Sequence, residues 1–330
     1  MRVMITGISG YIGSVLAKMM HTKGWDIVGV DATYYGDPYA GKMYGVSRKD
    51  IRDITLADLH NINAVVHLAA LSNDPLGELN PALTYDINYY ATVQLAVRAE
   101  HAGVERFVFA SSCSVYGQSE EELIETSPLN PLTAYARSKV NSEEALLKID
   151  SSSFSPIILR GGTAYGFSPN MRFDLMVNNL VGGAITRKEI VLNSDGNAWR
   201  PVVHVKDIAR AVIAVLESPK DSVHNQIFNV IPQGENYTVR EIAKKVAESY
   251  DYKVSYGSTD PDSRSYRVSA GKIHSMIKSY QPKYSLSDGI AELFAKFGNL
   301  TSEQFEKQMR LRQLKFLLDN GCIGNDLRWI

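Results

Sequence analysis

The stretch Arg2-Val3-Met4-Ile5-Thr6-Gly7-Ile8-Ser9-Gly10-Tyr11-Ile12-Gly13 joins a strand pattern directly to a helix pattern. Residues 2–6 form a short apolar run typical of a buried parallel strand, and residues 14–20 repeat apolar side chains at helical spacing. The three glycines permit a tight turn, a close approach of backbone to ligand, and close helix packing. The N-terminus of the helix then presents free N–H groups and a positive dipole end. The stretch predicts a strand-turn-helix unit that binds a pyrophosphate.

Strand and helix patterns continue to alternate up to about residue 160, which predicts a parallel, doubly wound sheet. The second strand, 26–30, ends at Asp31, 18 residues after Gly13. A carboxylate at this place accepts hydrogen bonds from ribose hydroxyls and repels a 2′-phosphate. Ala32 follows, and no arginine stands nearby in sequence to bind such a phosphate. The predicted cofactor is therefore NAD rather than NADP.

A second stretch, residues 111–139, carries the candidates for chemistry. An apolar run at 106–110 predicts a buried strand, so the serines after it lie where open α/β sheets bind ligands. Tyr135 and Lys139 are four residues apart and share one face of a predicted helix. A free tyrosine has a pKa near ~10, which a neighbouring ammonium group or cationic ring lowers. Together with Ser112, this pair suits removal of a proton from a secondary alcohol, although the spacing also fits an ordinary amphipathic helix.

Three motifs occur in a fixed order: Gly-x-x-Gly-x-x-Gly at 7–13, Ser-Ser-x-x-Val-Tyr-Gly at 111–117 and Tyr-x-x-x-Lys at 135–139. In this combination the chain resembles the extended branch of the short-chain dehydrogenase/reductase family, the NAD-dependent nucleotide-sugar epimerases and dehydratases of the UDP-glucose 4-epimerase type. The resemblance covers essentially the whole chain. It implies a Rossmann-type doubly wound parallel sheet with a smaller C-terminal α/β substrate-binding lobe. It also implies NAD as cofactor, a nucleotide-diphosphate sugar as substrate, and Ser112, Tyr135 and Lys139 as catalytic residues.

The same resemblance extends the cofactor site. Asp50 and Ile51 take the places of adenine-binding residues, the small residues that end the strand at 64–70 resemble a cofactor-contacting turn, and Asn88 matches an asparagine that braces the loops there. His67, inside that strand, is interpreted as a core histidine. The predicted cofactor-binding residues are Gly7, Gly10, Tyr11, Ile12, Gly13, Asp31, Asp50, Ile51, Leu68, Ala69, Ala70, Asn88, Tyr135 and Lys139.

The substrate site is implied by less regular motifs. The family commonly has Arg-x-x-Asn-x-Tyr-Gly where this chain has Thr163 in place of the asparagine. Arg200 opens a segment similar to Arg-x-x-x-His-Val-x-Asp, whose arginine binds the diphosphate, a task suited to the planar guanidinium group. A second diphosphate arginine is Arg264 or, in another register, Arg267. Two asparagines on a nearby predicted helix form a wall for the diphosphate. The predicted substrate-binding residues are Ser72, Ser112, Cys113, Ser114, Thr163, Arg172, Asn178, Asn179, Arg200, Arg264 and Arg267.

The residues at positions 113 and 114 limit which reaction of the family the chain could catalyse. Dehydratases of the family carry Asp-Glu directly after the serine or threonine, and here Cys113 and Ser114 stand there, so a 4,6-dehydratase is disfavoured. Cys113 is either an ionised thiolate, as in epimerases that work through enolisation, or a small packed residue. A 4-epimerase, in which the 4-keto sugar takes the hydride back, is favoured over a 4-dehydrogenase or 4-ketoreductase. A non-catalytic NAD-binding protein is disfavoured because Tyr135 and Lys139 are both present.

Length and composition bear on the number of domains, the kinds of partner and the cellular compartment. The 330 residues are too many for one core and predict an NAD-binding domain, 1–164 with 202–232 returning to it, and a nucleotide-sugar lobe, 165–201 and 233–330. A net charge of −1 gives no reason to expect nucleic acid or membrane partners. The two cysteines and the absence of a signal-peptide pattern indicate a reducing cytoplasm. No metal site is predicted, and the resemblance implies a homodimer.

Four helix predictions follow from periodicity and capping. One helix spans 81–102, and another begins near Thr133. A third runs from Thr238, its candidate N-cap, to about Tyr250. The last, 303–318, is predicted as one amphipathic helix that packs on the second lobe.

Overall fold

The structure, a computed structural model, describes residues 1–40, 44–149, 151–248, 252–258 and 264–330. Strands and helices alternate along most of this length. The strands are β1 (Arg2–Thr6), β2 (Asp26–Asp31), β3 (Val46–Arg48), β4 (Ala64–His67), β5 (Arg106–Ser112), β6 (Gln118–Leu123), β7 (Ser155–Gly161), β8 (Thr163–Tyr165), β9 (Glu189–Leu192), β10 (Trp199–His204), β11 (Gln226–Val230), β12 (Asn236–Thr238), β13 (Lys253–Tyr256) and β14 (Ser265–Val268). The helices are α1 (Tyr11–Thr22), α2 (Asp74–Gly77), α3 (Pro81–Tyr85), α4 (Ala91–His101), α5 (Ala134–Leu147), α6 (Met176–Arg187), α7 (Val205–Glu217), α8 (Lys220–Val223), α9 (Val239–Glu248), α10 (Gly271–Met276), α11 (Leu286–Phe297), α12 (Ser302–Lys307) and α13 (Arg310–Asp319).

Seven strands form the central sheet in the order β11-β7-β5-β4-β1-β2-β3, with every neighbouring pair parallel. This confirms the predicted doubly wound α/β fold. Alternate residues of the strands face opposite layers: Val3 and Ile5 belong to one apolar core and Met4 to the other. The strand order turns back at β1, between β4 and β2, and an open sheet binds ligands at the carboxyl ends of strands at such a point.

Smaller sheets lie beyond the central one. Strands β12, β10 and β8 form a three-stranded sheet, while β13 pairs with β9 and β14 with β6. After β10 the chain returns through α7, and β11 joins the edge of the central sheet beside β7. The exact division of the chain into two domains stays a prediction.

Three of the predicted helices are present at or near their expected positions. The helix predicted at 81–102 is present as α3 and α4, joined by a π-helical segment at Asp86–Tyr90. Helix α5 begins at Ala134, where the Thr133 side chain accepts a hydrogen bond from the Ala136 amide. Thr238 likewise accepts from the Glu241 amide at 3.2 Å, as an N-cap does. The predicted end of that helix at Tyr250 lies outside the described residues.

The prediction of one terminal helix at 303–318 is wrong. Two helices, α12 and α13, are separated at Gln308 and Met309, and they pack in different places. Phe305 of α12 contributes to the larger core, whereas Leu314 of α13 is buried in the core that also contains Ile51. The C-terminal residues therefore lie against the first part of the chain. Within the described ranges, no helix is long and apolar enough to cross a membrane.

Candidate active site

A cavity of about 650 Å³ opens at the carboxyl ends of the central strands. Its walls come from the turn after β1, the end of β2, the turns after β4 and β5, and helix α5. Residues from the second half of the chain close the other side. The motifs that are far apart in sequence thus meet in one place.

The glycine turn is shaped by contacts that leave no room for side chains. Gly7 has φ +74°, and a Cβ there would lie 2.8 Å from the Ala69 amide nitrogen. A Cβ on Gly13 would lie 2.1 Å from the Gly7 carbonyl oxygen. Backbone of the turn consequently faces the cavity directly at the start of α1. This cradle fits the pyrophosphate of a dinucleotide.

Asp31 stands at the end of β2 and lines the same cavity. Its carboxylate accepts hydrogen bonds from the amides of Ser9, at 3.0 Å, and Thr33, at 2.6 Å. Burial raises the pKa of this carboxyl, and the two amide donors act in the opposite direction. The carboxylate is therefore fixed beside the glycine turn, where the sequence places the contact to ribose.

The remaining predicted cofactor residues divide into two groups. Asp50 and Ile51 line the cavity, and so do Leu68, Ala69 and Ala70. Asn88 does not line it: its side chain accepts from the Leu71 amide at 2.8 Å and donates to the Leu71 carbonyl at 3.1 Å. The asparagine thus braces the turn after β4.

His67 is buried between Thr6 and Thr92, whose hydroxyls lie 2.6 and 2.8 Å from its two ring nitrogens. Burial lowers the pKa of this imidazole to about 3. The histidine is neutral and part of the core, as predicted.

Ser112, Tyr135 and Lys139 converge on the cavity from strand β5 and helix α5. The Ser112 hydroxyl is close enough to the Tyr135 phenol to lower its pKa. The Lys139 ammonium lies 5.7 Å from the centre of the Tyr135 ring and 4.5 Å from that of Phe109. Gly77 makes this packing possible, since a Cβ there would lie 3.0 Å from the Tyr135 Cβ.

The protein's own groups do not create a phenolate. Burial, followed by the charge of Asp74, raises the pKa of Tyr135 to about 12. Burial also lowers the pKa of Lys139 to about 7, against the opposing effect of Glu143. Desolvation of both groups outweighs the effect expected from the Lys139 ammonium, and the contribution expected from a cationic ring stays a prediction.

Cys113 does not reach the cavity, contrary to its prediction as a substrate contact. Its thiol is 1% exposed and donates to the Arg160 carbonyl at 3.2 Å. Burial raises the pKa of this thiol far above its ordinary value. The cysteine is thus a packed residue, whereas Ser114 and Thr163 line the cavity.

Arg172 and the two asparagines of α6 occupy different places. The Arg172 guanidinium lines the cavity, pairs with Asp174 at 2.7 Å and donates to the Ser72 hydroxyl at 2.8 Å. Asn179 also lines the cavity. Asn178 is fully buried behind it and bonds the Gly166 amide, so the structure does not bring it to the cavity as predicted.

The three candidate diphosphate arginines lie in different surroundings. Arg200 and Arg264 line the cavity, and the Arg200 guanidinium donates to the Arg264 carbonyl. Arg264 itself pairs with Asp74. Arg267 points elsewhere, stacks over Trp199 at 5.2 Å and donates to the Glu120 carbonyl at 2.7 Å. The choice of Arg264 is favoured, and Arg267 is not a cavity residue.

Residues 3–230 match the NAD dependent epimerase/dehydratase family. The chain belongs to the NAD-dependent epimerase/dehydratase family. A Bacillus subtilis protein described as an uncharacterized UDP-glucose epimerase, YtcB, is 26% identical over 91% of this chain and 99% of its own.

Solved structures of similar fold also belong to proteins described as binding nucleotide sugars or NAD. MoeE5 in complex with UDP-glucose and NAD is 28% identical, with a TM-score of 0.77 over 94% of this chain and all of its own. The UDP-glucose 4-epimerase of Thermus thermophilus, in complex with NAD, is 26% identical, with a TM-score of 0.79 over 91% of this chain and all of its own. Curated relatives of similar identity also include a 4,6-dehydratase and a decarboxylase. The protein is an NAD-dependent enzyme of the nucleotide-sugar epimerase/dehydratase type, and these relatives leave its particular reaction open.

Asp74 and Arg310 are among the cavity residues that the sequence analysis did not identify. Asp74 lies near Tyr135 and pairs with Arg264; its place after Ser72 could have pointed to it. Arg310, the first residue of α13, lines the cavity although it comes long after the matched region. Nothing in its sequence surroundings distinguishes it from the surface arginine Arg312.

Proposed function

We propose that the protein is a 4-epimerase of a nucleotide-diphosphate sugar. The observation that carries the proposal is the convergence of Ser112, Tyr135 and Lys139 on one cavity that also contains the glycine turn and Asp31. NAD, held by the turn and by Asp31, supplies a hydride acceptor that later returns the hydride.

Side chains of the protein transfer the proton of the substrate hydroxyl. The Tyr135 oxygen takes the proton of the sugar C4 hydroxyl and gives it back after the keto sugar has rotated in the site. The Ser112 hydroxyl meanwhile holds the same substrate oxygen in position by a hydrogen bond. A pKa of about 12 leaves the phenol protonated at neutral pH. With NAD bound, a positively charged nicotinamide ring near Tyr135 would favour ionisation of the phenol.

The residues at positions 113 and 114 argue against dehydration. Elimination needs one group to remove a carbon-bound proton and another to protonate the leaving hydroxyl. Position 113 offers a buried thiol and position 114 a serine hydroxyl. The nearby carboxylate of Asp74 is bound to Arg264 and to the Thr133 hydroxyl.

The enclosure of the adenosine end supports return of the hydride within the same site. The Trp329 indole donates to the Ala32 carbonyl at 2.6 Å, and the Tyr34 hydroxyl donates to the Leu327 carbonyl. C-terminal residues therefore cover the loop that follows Asp31. A cofactor enclosed in this way suits an enzyme that regenerates NAD in every turnover and has no need to exchange it.

Arg200 and Arg264 are placed to receive the substrate diphosphate. Both arginines line the cavity, and Arg264 presents its charge beside Asp74. A diphosphate that reached Arg264 would compete with this carboxylate. Binding of the substrate thus also changes the charge that acts on Tyr135.

A panel of UDP-, GDP-, CDP- and dTDP-sugars tests the proposal. Each is incubated with protein whose bound cofactor has been identified, the absorbance of NADH is followed, and the sugar nucleotides are then separated. An epimerase gives a C4 isomer with no lasting NADH. Lasting NADH with a keto product, or a product that has lost water, would contradict the proposal.

Assembly and location are further proposals from the family. Tyr90 and Val97 are 56% and 41% exposed on the π segment and α4, an apolar face that a homodimer would cover. Sedimentation of the wild type and of Val97→Glu measures the oligomeric state. The wild type is expected to sediment as a dimer and the variant as a monomer. The cytoplasmic location stays a prediction.

A further inference from the structure

Arg310 is a buried cation at the wall of the cofactor cavity. It is 2% exposed, lines the cavity and stacks over the Tyr35 ring at 4.1 Å. Tyr35 belongs to the loop after Asp31. The first residue of α13 thus stands beside the part of the cavity that the glycine turn and Asp31 enclose.

Neutral oxygens are its hydrogen-bond partners. The guanidinium donates to the Gln313 side chain at 3.0 Å and to the carbonyl and side-chain oxygens of Asn170 at 3.2 and 2.6 Å. Across the described ranges it makes no ion pair. Arg172, by contrast, is paired with Asp174. Burial and the charge of Arg172 lower the pKa of Arg310 to about 10. A buried charge of this kind is costly unless an anion joins it.

Asn170 connects this cation to the glycine turn. Its side-chain amide donates to the Ser9 carbonyl at 2.7 Å and to the Tyr35 carbonyl at 3.2 Å. Ser9 stands between Gly7 and Gly10, just before the first turn of α1. The arginine, the asparagine and the anion-binding end of α1 therefore form one continuous surface.

We propose that Arg310 binds the diphosphate of the dinucleotide cofactor from the side opposite the glycine turn. An N–H···O⁻ bond from a guanidinium group complements backbone N–H donors because it supplies the full charge that they lack. The residue lies outside the region that matches the family, so the contact is contributed by the C-terminal segment.

The same segment is anchored so that the position of Arg310 is fixed. Arg328 pairs with Asp53, the Arg48 guanidinium lies 3.7 Å from the centre of the Trp329 rings, and the Trp329 indole bonds the loop after Asp31. These contacts hold the C-terminal end of the segment against the first part of the chain.

The test is cofactor binding, measured without any sugar nucleotide and hence independent of the proposed reaction. Arg310→Met keeps a long apolar stem and removes the charge, while Arg310→Lys keeps a charge. The matched control is Arg312→Met, on the same helix, whose side chain is 68% exposed. We expect affinity for NAD and for ADP to fall about tenfold or more in Arg310→Met, with partial recovery in Arg310→Lys and no change in the control. Adenosine, which has no phosphate, should bind all variants equally.

Thermal melting separates binding from folding. Removal of a desolvated charge that has no ion pair should leave the melting temperature of the cofactor-free protein unchanged or raised, while the stabilisation by NAD shrinks. A melting temperature lowered equally with and without NAD would assign Arg310 a structural role and overturn the proposal. So would an equal loss of adenosine binding, a selective loss of NADP binding, which indicates a 2′-phosphate contact, or a selective loss of sugar-nucleotide binding.

Discussion

The Lys139 ammonium group donates a hydrogen bond to the carbonyl of Ala110 at 2.7 Å. This bond ties helix α5 to the last residues of β5, immediately before Ser112. Lys139 is therefore positioned by backbone of the strand that also carries Ser112. Burial at this junction is what lowers the pKa of the lysine to about 7.

A pH-dependent stability follows from that shift. Between pH 7 and the ordinary lysine value of 10.5, the unfolded chain holds a proton that the folded one has released, so stability rises with pH. Below pH 7 both states are protonated and the full penalty remains. Lys139→Met should remove a slope of at most about 1.4 kcal/mol per pH unit in this range. Melting curves of cofactor-free protein from pH 6 to pH 10, with exposed Lys18→Met as control, measure it; parallel curves for wild type and Lys139→Met would contradict the assigned pKa.

Tyr135→Phe should separate chemistry from cofactor binding. Loss of the phenol removes the group that exchanges a proton with the substrate, and a fall in turnover of about 10²-fold to 10⁴-fold is expected. NAD content should stay unchanged because the ring remains in place. Tyr116→Phe is the matched control: its hydroxyl is bonded to Asn229 at 2.8 Å outside the cavity. Loss of NAD with turnover intact would remove Tyr135 from the proposed role.

Local sequence signals predicted the parts of the site that depend on backbone geometry. The glycine turn, Asp31 and the tyrosine-lysine pair follow from spacing, because a tight turn and one helical face each require particular residues at particular distances. Cys113 and Asn178 were misplaced because the direction of a side chain at a strand or helix end depends on what packs behind it. Here that is the Arg160 carbonyl and the Gly166 amide.

Tertiary contacts account for what the sequence did not predict. Arg310 reaches the cavity only because α12 and α13 are separate helices, and the break at residues 308–309 carries no glycine or proline to mark it. The sequence also provides no measure of how strongly Tyr135 and Lys139 are desolvated, because burial is a property of the whole fold.

Asp31 should control the choice between NAD and NADP. Asp31→Ala removes a carboxylate that repels a 2′-phosphate and accepts hydrogen bonds from ribose, so NAD should bind about tenfold more weakly and NADP more tightly than in the wild type. Asp31→Asn keeps the shape of the side chain and removes its charge, and its single oxygen can accept from only one of the Ser9 and Thr33 amides, which bond different oxygens of the carboxylate. Competitive titration of the two cofactors is the measurement. An unchanged NAD-to-NADP ratio in both variants would show that the carboxylate does not face the ribose.

Arg200 and Arg264 should bind the substrate diphosphate, and Arg267 provides a control three residues from Arg264. Each cavity arginine changed to Met should weaken binding of the substrate's nucleoside diphosphate about tenfold, while its nucleoside binds equally. Arg267→Met should leave both unchanged because its guanidinium faces Trp199 and Glu120. Arg264→Met should also slow turnover, since it leaves the charge of Asp74 unbalanced and this charge raises the pKa of Tyr135. Calorimetric titration gives the affinities. Equal binding by all three variants would place the diphosphate elsewhere, and a loss in Arg267→Met alone would reverse the register.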